Sequence, residues 1–166
     1  MADNGKNGLG FHTARGYELL KRRSGRLTPA MEDYLEMIYR ICSRDGYARV
    51  SRISQLLNVR PSSASKMILK LAQMGFLKYE RYEIILLTEE GSEAGGFLLN
   101  RHNTVEAFLR LIGTGAPLLD EAEVIEHALS AEAVFRIGTL IDFFSQNPDV
   151  RGTFERFYNT HPFLKK

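Results

Sequence analysis

Apolar residues along this chain recur mostly at intervals of three and four, a period that predicts a mainly helical fold. Thr28-Pro29 reads as a helix start, a hydroxyl N-cap followed by proline at the first helical position. Met31, Leu35, Ile38 and Cys42 then follow at helical spacing, with Tyr34 and Ile41 beside them, and the pattern stops near Asp45-Gly46. Tyr47 to Val50 reads as a short extended piece. Ser51 is expected to cap a short helix over Arg52 to Leu57. Pro61 is expected to open another that runs to about Met74 with Met67, Ile68 and Leu71 on its core side, and Gly75 takes the C′ position. Two short helices joined by the turn Asn58-Val59-Arg60 have helix-turn-helix anatomy.

Phe76 to Glu80 and Ile84 to Leu87 predict two short strands with a tight connection through Arg81, Tyr82 and Glu83. A hairpin placed directly after a recognition helix is a wing. Thr88 is expected to cap a long helix to about Ile112, with Gly95-Gly96 a soft spot that lowers helix stability. After a loop at 113–117, helices are expected at 119–129 and 131–146, split at Ser130 and stopped by Asn147-Pro148. Phe154, Phe157 and Tyr158 keep helical spacing in the tail. The predicted fold class is therefore mainly α: an N-terminal winged helix-turn-helix with a small two-stranded β-wing, then a helical domain. The expected boundaries are an N-terminal basic arm at 1–27, a winged helix at 28–92 and a helical domain at 93–166. Within the arm, 14–23 reads as a short basic helix.

Composition changes this picture in a few places. The 166 residues carry a hydrophobic share of 44%, enough for a packed core. Net charge is only +2, so the whole chain does not demand a polyanionic partner. Its distribution is more telling: within 44–81, eight basic residues face two acidic ones, the footprint expected where phosphates are held. The single cysteine, Cys42, excludes an intrachain disulfide and a thiolate zinc finger. No apolar run reaches membrane-spanning length, and the opening MADNGKNGLG lacks an apolar signal core. No membrane association, no organic cofactor and a cytoplasmic location are expected.

The second helix of the motif opens Pro61-Ser62-Ser63-Ala64-Ser65-Lys66. Small hydroxylated residues let a helix sit deep in the major groove, and Ser62, Ser63 and Ser65 can bond phosphates or base edges. Lys66 and Lys70 can neutralise phosphates, and Arg60, Arg81 and Tyr82 would flank the groove from the turn and the wing. Double-stranded DNA is the expected partner. The plainer alternative is that the serines only cap a solvated helix.

Two acidic patches bracket this module. Asp33 and Glu36, three apart, share one helical face. Glu123, Glu126 and His127 fall within one narrow arc, opposite Ile125, Ala128 and Leu129, and His102 and Glu106 stand at i and i+4 on the long helix. Taken alone, Asp33 with Glu36 reads first as a solvated acidic face and His102 as a partly buried structural residue, while Glu-x-x-Glu-His reads equally as surface. Together, so many carboxylates without a counter-ion would repel one another, and a divalent cation removes that repulsion. Carboxylate and imidazole without thiolate suit Mn²⁺ or Fe²⁺, with Zn²⁺ and Co²⁺ also able to bind.

Six stretches in order carry a family resemblance. They are Thr-Pro-x-Met-Glu-Asp-Tyr-Leu-Glu at 28–36, Gly-Tyr-Ala-Arg-Val-Ser at 46–51, Pro-Ser-Ser-Ala-Ser-Lys-Met at 61–67, Leu-Thr-x-x-Gly at 87–91, Arg-His at 101–102 and Glu-x-x-Glu-His at 123–127. Over about residues 27–145 the chain resembles the DtxR/MntR family of metal-dependent transcriptional repressors, most closely its manganese-transport regulator branch. The resemblance implies that the helical domain binds metal and dimerises, that the chain is a homodimer on a palindromic operator, and that it is not an enzyme. It implies two Mn²⁺ per subunit held by Asp33, Glu36, His102, Glu123, Glu126 and His127, with Glu106 matching a ligand of the iron-responsive branch's second site. That branch carries Met where Glu36 stands and Cys where Glu123 stands, so acidic residues at both positions imply manganese sensing. The chain also leaves no length for the SH3-like third domain of the iron repressors. The alternatives are an Fe²⁺-responsive regulator of the same family, a metal-independent winged-helix regulator, and a Mn-dependent phosphoesterase. The last is disfavoured because no Gly-rich phosphate loop is present.

Overall fold

A computed structural model of the protein describes residues 27–79, 84–113 and 118–161. The expected basic helix at 14–23, Arg81 and Tyr82, expected to flank the groove from the wing, and residues 114–117 lie outside the described residues. The elements are α1 (Pro29–Asp45), β1 (Ala48–Arg49), α2 (Val50–Leu56), α3 (Pro61–Gln73), β2 (Leu77–Tyr79), β3 (Ile84–Leu87), α4 (Glu89–Ile112), α5 (Leu118–Glu126), α6 (Ala131–Gln146) and α7 (Pro148–Thr160). The chain divides into two compact units between Arg101 and His102, partway along α4.

In the first unit, α1 starts with Pro29 at its first position and ends at Gly46, whose φ of 80° is left-handed and whose N–H donates to the Cys42 carbonyl. Glycine adopts that conformation without a Cβ penalty. The Thr28 hydroxyl makes no cap bond; its backbone carbonyl instead accepts from Met31 and Glu32. Met31, Leu35, Ile38 and Ile41 are buried with Ile53 of α2, Ala64, Ile68 and Leu71 of α3, and Phe76 and Ile85. Burying one such aliphatic side chain stabilises the fold by roughly 1.5–3 kcal/mol. Ala64 takes the place on the core side of α3 expected of Met67, which is half-buried.

The sheet has three strands in the order β1-β3-β2, all antiparallel, with Ala48 opposite Ile85 and Leu77 opposite Leu87. The expected two-stranded wing therefore has β1 as a third member. A two-residue strand has too few positions to show an alternating pattern, so its pairing is invisible in the sequence. Once Ala48 and Arg49 are in the sheet, α2 begins at Val50 with Arg49 as N-cap, and Ser51 lies inside the helix rather than capping it.

Thr88 ties the sheet to α4. Its hydroxyl donates to the carbonyls of Gly75 (2.7 Å) and Phe76 (3.0 Å) and accepts from the Gly91 amide at 3.0 Å. Gly91 is pressed onto the same strand end: a Cβ there would lie 1.9 Å from the Phe76 carbonyl oxygen. Gly95, expected as a soft spot, marks a close helix crossing instead, since its Cβ would lie 2.6 Å from the Tyr39 Cβ.

In the second unit, Val105 and Leu109 of α4 pack with Ala122 of α5, joined by Ile112 and Leu129. α5 ends at Glu126, short of the expected 129, and Ile125 is exposed. Ser130 caps α6, its hydroxyl accepting from the Ala133 amide at 3.2 Å. Phe144 packs on Phe154 (centroids 5.5 Å apart) and Phe154 stacks on Tyr158 (6.3 Å), joining α6 to α7.

Candidate metal centre and nucleic-acid interface

The exposed side of α3 is the side the serines occupy. Arg60, Pro61, Ser62, Ser63, Lys66 and Lys70 are exposed and Ser65 is half-buried, while Ala64, Ile68 and Leu71 hold the opposite face in the core. The Ser65 hydroxyl donates to the Pro61 carbonyl at 3.0 Å, which leaves its lone pairs as acceptors. The amides of Ser63 and Ala64 both turn back to the Arg60 carbonyl. Anion attraction at this helix start therefore rests on the Arg60, Lys66 and Lys70 side chains more than on backbone amides.

On α1, Asp33 is exposed and Glu36 is nearly buried, at 9%. Glu36 Oε1 accepts from Arg40 Nε at 2.9 Å and from Arg40 Nη2 at 2.6 Å. Arg101, itself buried, bonds Glu32 Oε2 through Nη2 at 2.9 Å.

On the second unit, His102 Nδ1 and Glu126 Oε2 lie 2.8 Å apart, and His127 Nε2 is 3.9 Å from Glu126 Oε1. Glu126 is 2% exposed and His102 7%. A neutral imidazole satisfies this contact by donating Nδ1–H to the carboxylate. The same spacing also suits joint ligation: two donors each about 2.1 Å from one ion stand about 3 Å apart at a right angle. A buried carboxylate flanked by two imidazoles, with no thiolate, is a donor set for a divalent first-row cation. The chemistry of this trio fits a metal.

Glu123 stands exposed one turn before Glu126, and His127 lies just past the helix end. Glu106, expected to point with His102, is ion-paired with Arg110. Arg40 and Arg101 were not singled out from the sequence. Arg40 was findable, because Glu and Arg at i and i+4 meet on a helix surface. The Glu32 partner of Arg101 is 69 residues away and left no local signal.

Residues 26–84 match the family model for the iron dependent repressor, N-terminal DNA binding domain, and residues 88–154 match the model for the iron dependent repressor, metal binding and dimerisation domain. A HTH-type transcriptional regulator MntR from Listeria monocytogenes serotype 4a is 42% identical over 140 residues, which is 84% of this chain and 99% of that protein. The chain belongs to the iron-dependent repressor family. It is a metal-dependent, DNA-binding transcriptional regulator, and DNA, a divalent metal and a second copy of the chain are its partners.

Two solved structures of the family are also similar. The manganese regulator SloR is 30% identical with a TM-score of 0.60, over 70% of this chain and 55% of that one. The metal-dependent transcriptional regulator MtsR is 28% identical with a TM-score of 0.63, over 70% and 55%. The match spans little more than half of each solved chain. Dimerisation has a physical counterpart on α6, where Phe135 (73%), Leu140 and Phe143 are exposed although Val134 of the same helix is buried. Among the described residues no helix is long and apolar enough to cross a membrane.

Proposed function

We propose that the chain is a manganese-responsive repressor of metal-uptake genes that acts in the cytoplasm, with Asp33, Glu36, His102, Glu123, Glu126 and His127 as metal ligands. The observation that carries the reading is the buried His102–Glu126 pair with His127 beside it. Oxygen and nitrogen donors without thiolate suit Mn²⁺ or Fe²⁺, and the similar structure SloR is a manganese regulator. Glu106, engaged by Arg110, is the weakest member of the proposed set.

The proposed domains are an arm at 1–27, a DNA-binding domain at 28–92 and a metal-binding and dimerisation domain at 93–166. Asp33 and Glu36 on α1 and His102, Glu123, Glu126 and His127 would hold a divalent cation, which would offset their carboxylate charge and so limit the placements open to α3 in each protomer. Successive major grooves on one face of DNA lie about 34 Å apart, so only some separations of two α3 helices read a palindromic operator. Arg60, Ser62, Ser63, Ser65, Lys66 and Lys70, opened by Pro61 and flanked by Arg81 and Tyr82, make the DNA contacts.

The test is fluorescence-anisotropy titration of a duplex carrying a candidate palindrome, with Mn²⁺, with Fe²⁺ under anaerobic conditions, and with chelator, all at fixed salt. Tight binding only with metal, and strongest with Mn²⁺, is expected. A stronger response to Fe²⁺ would move the chain to iron sensing, and binding indifferent to metal would remove the switch. Mn²⁺-dependent cleavage of a phosphodiester by the same sample would favour a hydrolase instead.

A further inference from the structure

Glu36, in the proposed ligand set, already holds a cation of its own. Arg40 lies one turn beyond Glu36 on α1, and both of its bonds, from Nε and Nη2, converge on the single oxygen Oε1. Glu36 is nearly buried, whereas the Arg40 side chain is 39% exposed and has room to swing into solvent.

We propose that Arg40 is an affinity-setting residue: a built-in counter-ion that competes with the metal for Glu36 and raises the metal concentration at which the repressor responds. This rests on Glu36 being a metal ligand, as argued above. Two effects act in the same direction. The ion pair stabilises the metal-free chain, because it neutralises a carboxylate that would otherwise be desolvated without a partner. A guanidinium that stays nearby also repels the incoming divalent cation. Because a guanidinium carries a permanent charge, this brake does not depend on pH in the physiological range. A half-exposed pair at i, i+4 is weak, so its displacement is compatible with metal binding and moves the affinity only modestly.

The experiment is Mn²⁺ affinity by competition with a fluorescent chelator, on the full chain and on Arg40→Ala, Arg40→Lys and Glu36→Ala. Melting followed by circular dichroism checks that each variant is folded. Arg40→Ala is expected to bind Mn²⁺ about two- to fivefold more tightly, from the strength of such pairs. Its half-maximal Mn²⁺ concentration for DNA binding is expected to fall by the same factor. Arg40→Lys keeps the charge but loses the fork, so it should fall between parent and Arg40→Ala. Unchanged or weaker Mn²⁺ binding in Arg40→Ala, with binding lost in Glu36→Ala, overturns the competition and leaves the ligand set intact. Parent-like binding in Glu36→Ala removes Glu36 from the site and overturns both.

Discussion

His102 Nδ1 lies 2.8 Å from Glu126 Oε2, although the two residues are 24 positions apart on different helices. Glu126 is the last residue of α5 and almost wholly buried, so its charge depends on what surrounds it. Glu126→Gln keeps the shape and a hydrogen-bond acceptor but removes the negative charge. Metal affinity is expected to fall by about 10- to 100-fold, the range typical of disturbing a metal site, with a small change in melting temperature. Chelator competition and calorimetry measure the two separately. Parent-like affinity in this variant would take the buried pair out of the metal site.

Lys66 stands exposed on α3 and contributes to DNA through charge alone in this reading. Lys66→Ala is expected to weaken duplex binding with and without metal, and to reduce the slope of log affinity against log salt by about 1. An unchanged slope would place Lys66 away from phosphate.

The Thr88 hydroxyl and the missing Cβ of Gly91 hold the start of α4 against Phe76. Gly91→Ala must push a backbone carbonyl aside and is expected to destabilise the fold by about 1–3 kcal/mol. Thr88→Ala removes a cap and is expected to cost about 1 kcal/mol. Urea unfolding of each variant checks both values, and a Gly91→Ala protein as stable as the parent would mean the contact is looser than described.

Burial pushes the Cys42 thiol up to about 11 from an ordinary value of 9.0. The folded state thus holds its proton more tightly than the unfolded state. The associated stability is full below about pH 9 and is lost as pH rises through about 11. At pH 8 roughly one thiol in 1,000 is ionised when folded, against roughly one in ten when unfolded. Alkylation by iodoacetamide is therefore expected to be about 100-fold slower in the native protein than in urea. Equal rates in the two conditions would show that the thiol is not shielded by the fold.

The sequence by itself determined the elements with long, regular apolar spacing. α1, α3, α4 and α6 were legible because each repeats its buried positions over several turns and begins at Pro29, Pro61, Thr88 or Ser130. The residue types of the proposed metal and DNA surfaces could be read as candidates, since carboxylate and imidazole without thiolate suit a divalent cation and small hydroxylated side chains suit a groove. Tertiary structure alone decided what depends on distant partners. β1 became a strand only because Ala48 meets Ile85, a pairing that two residues cannot announce. Gly95 proved to be a contact with Tyr39 rather than a weak point, because a missing side chain shows its purpose only when its neighbour is known. Glu126 and Glu123 look alike in sequence, yet one is buried against His102 and the other is exposed. Burial and partnership are set by which surfaces meet in space, and local spacing carries no record of that.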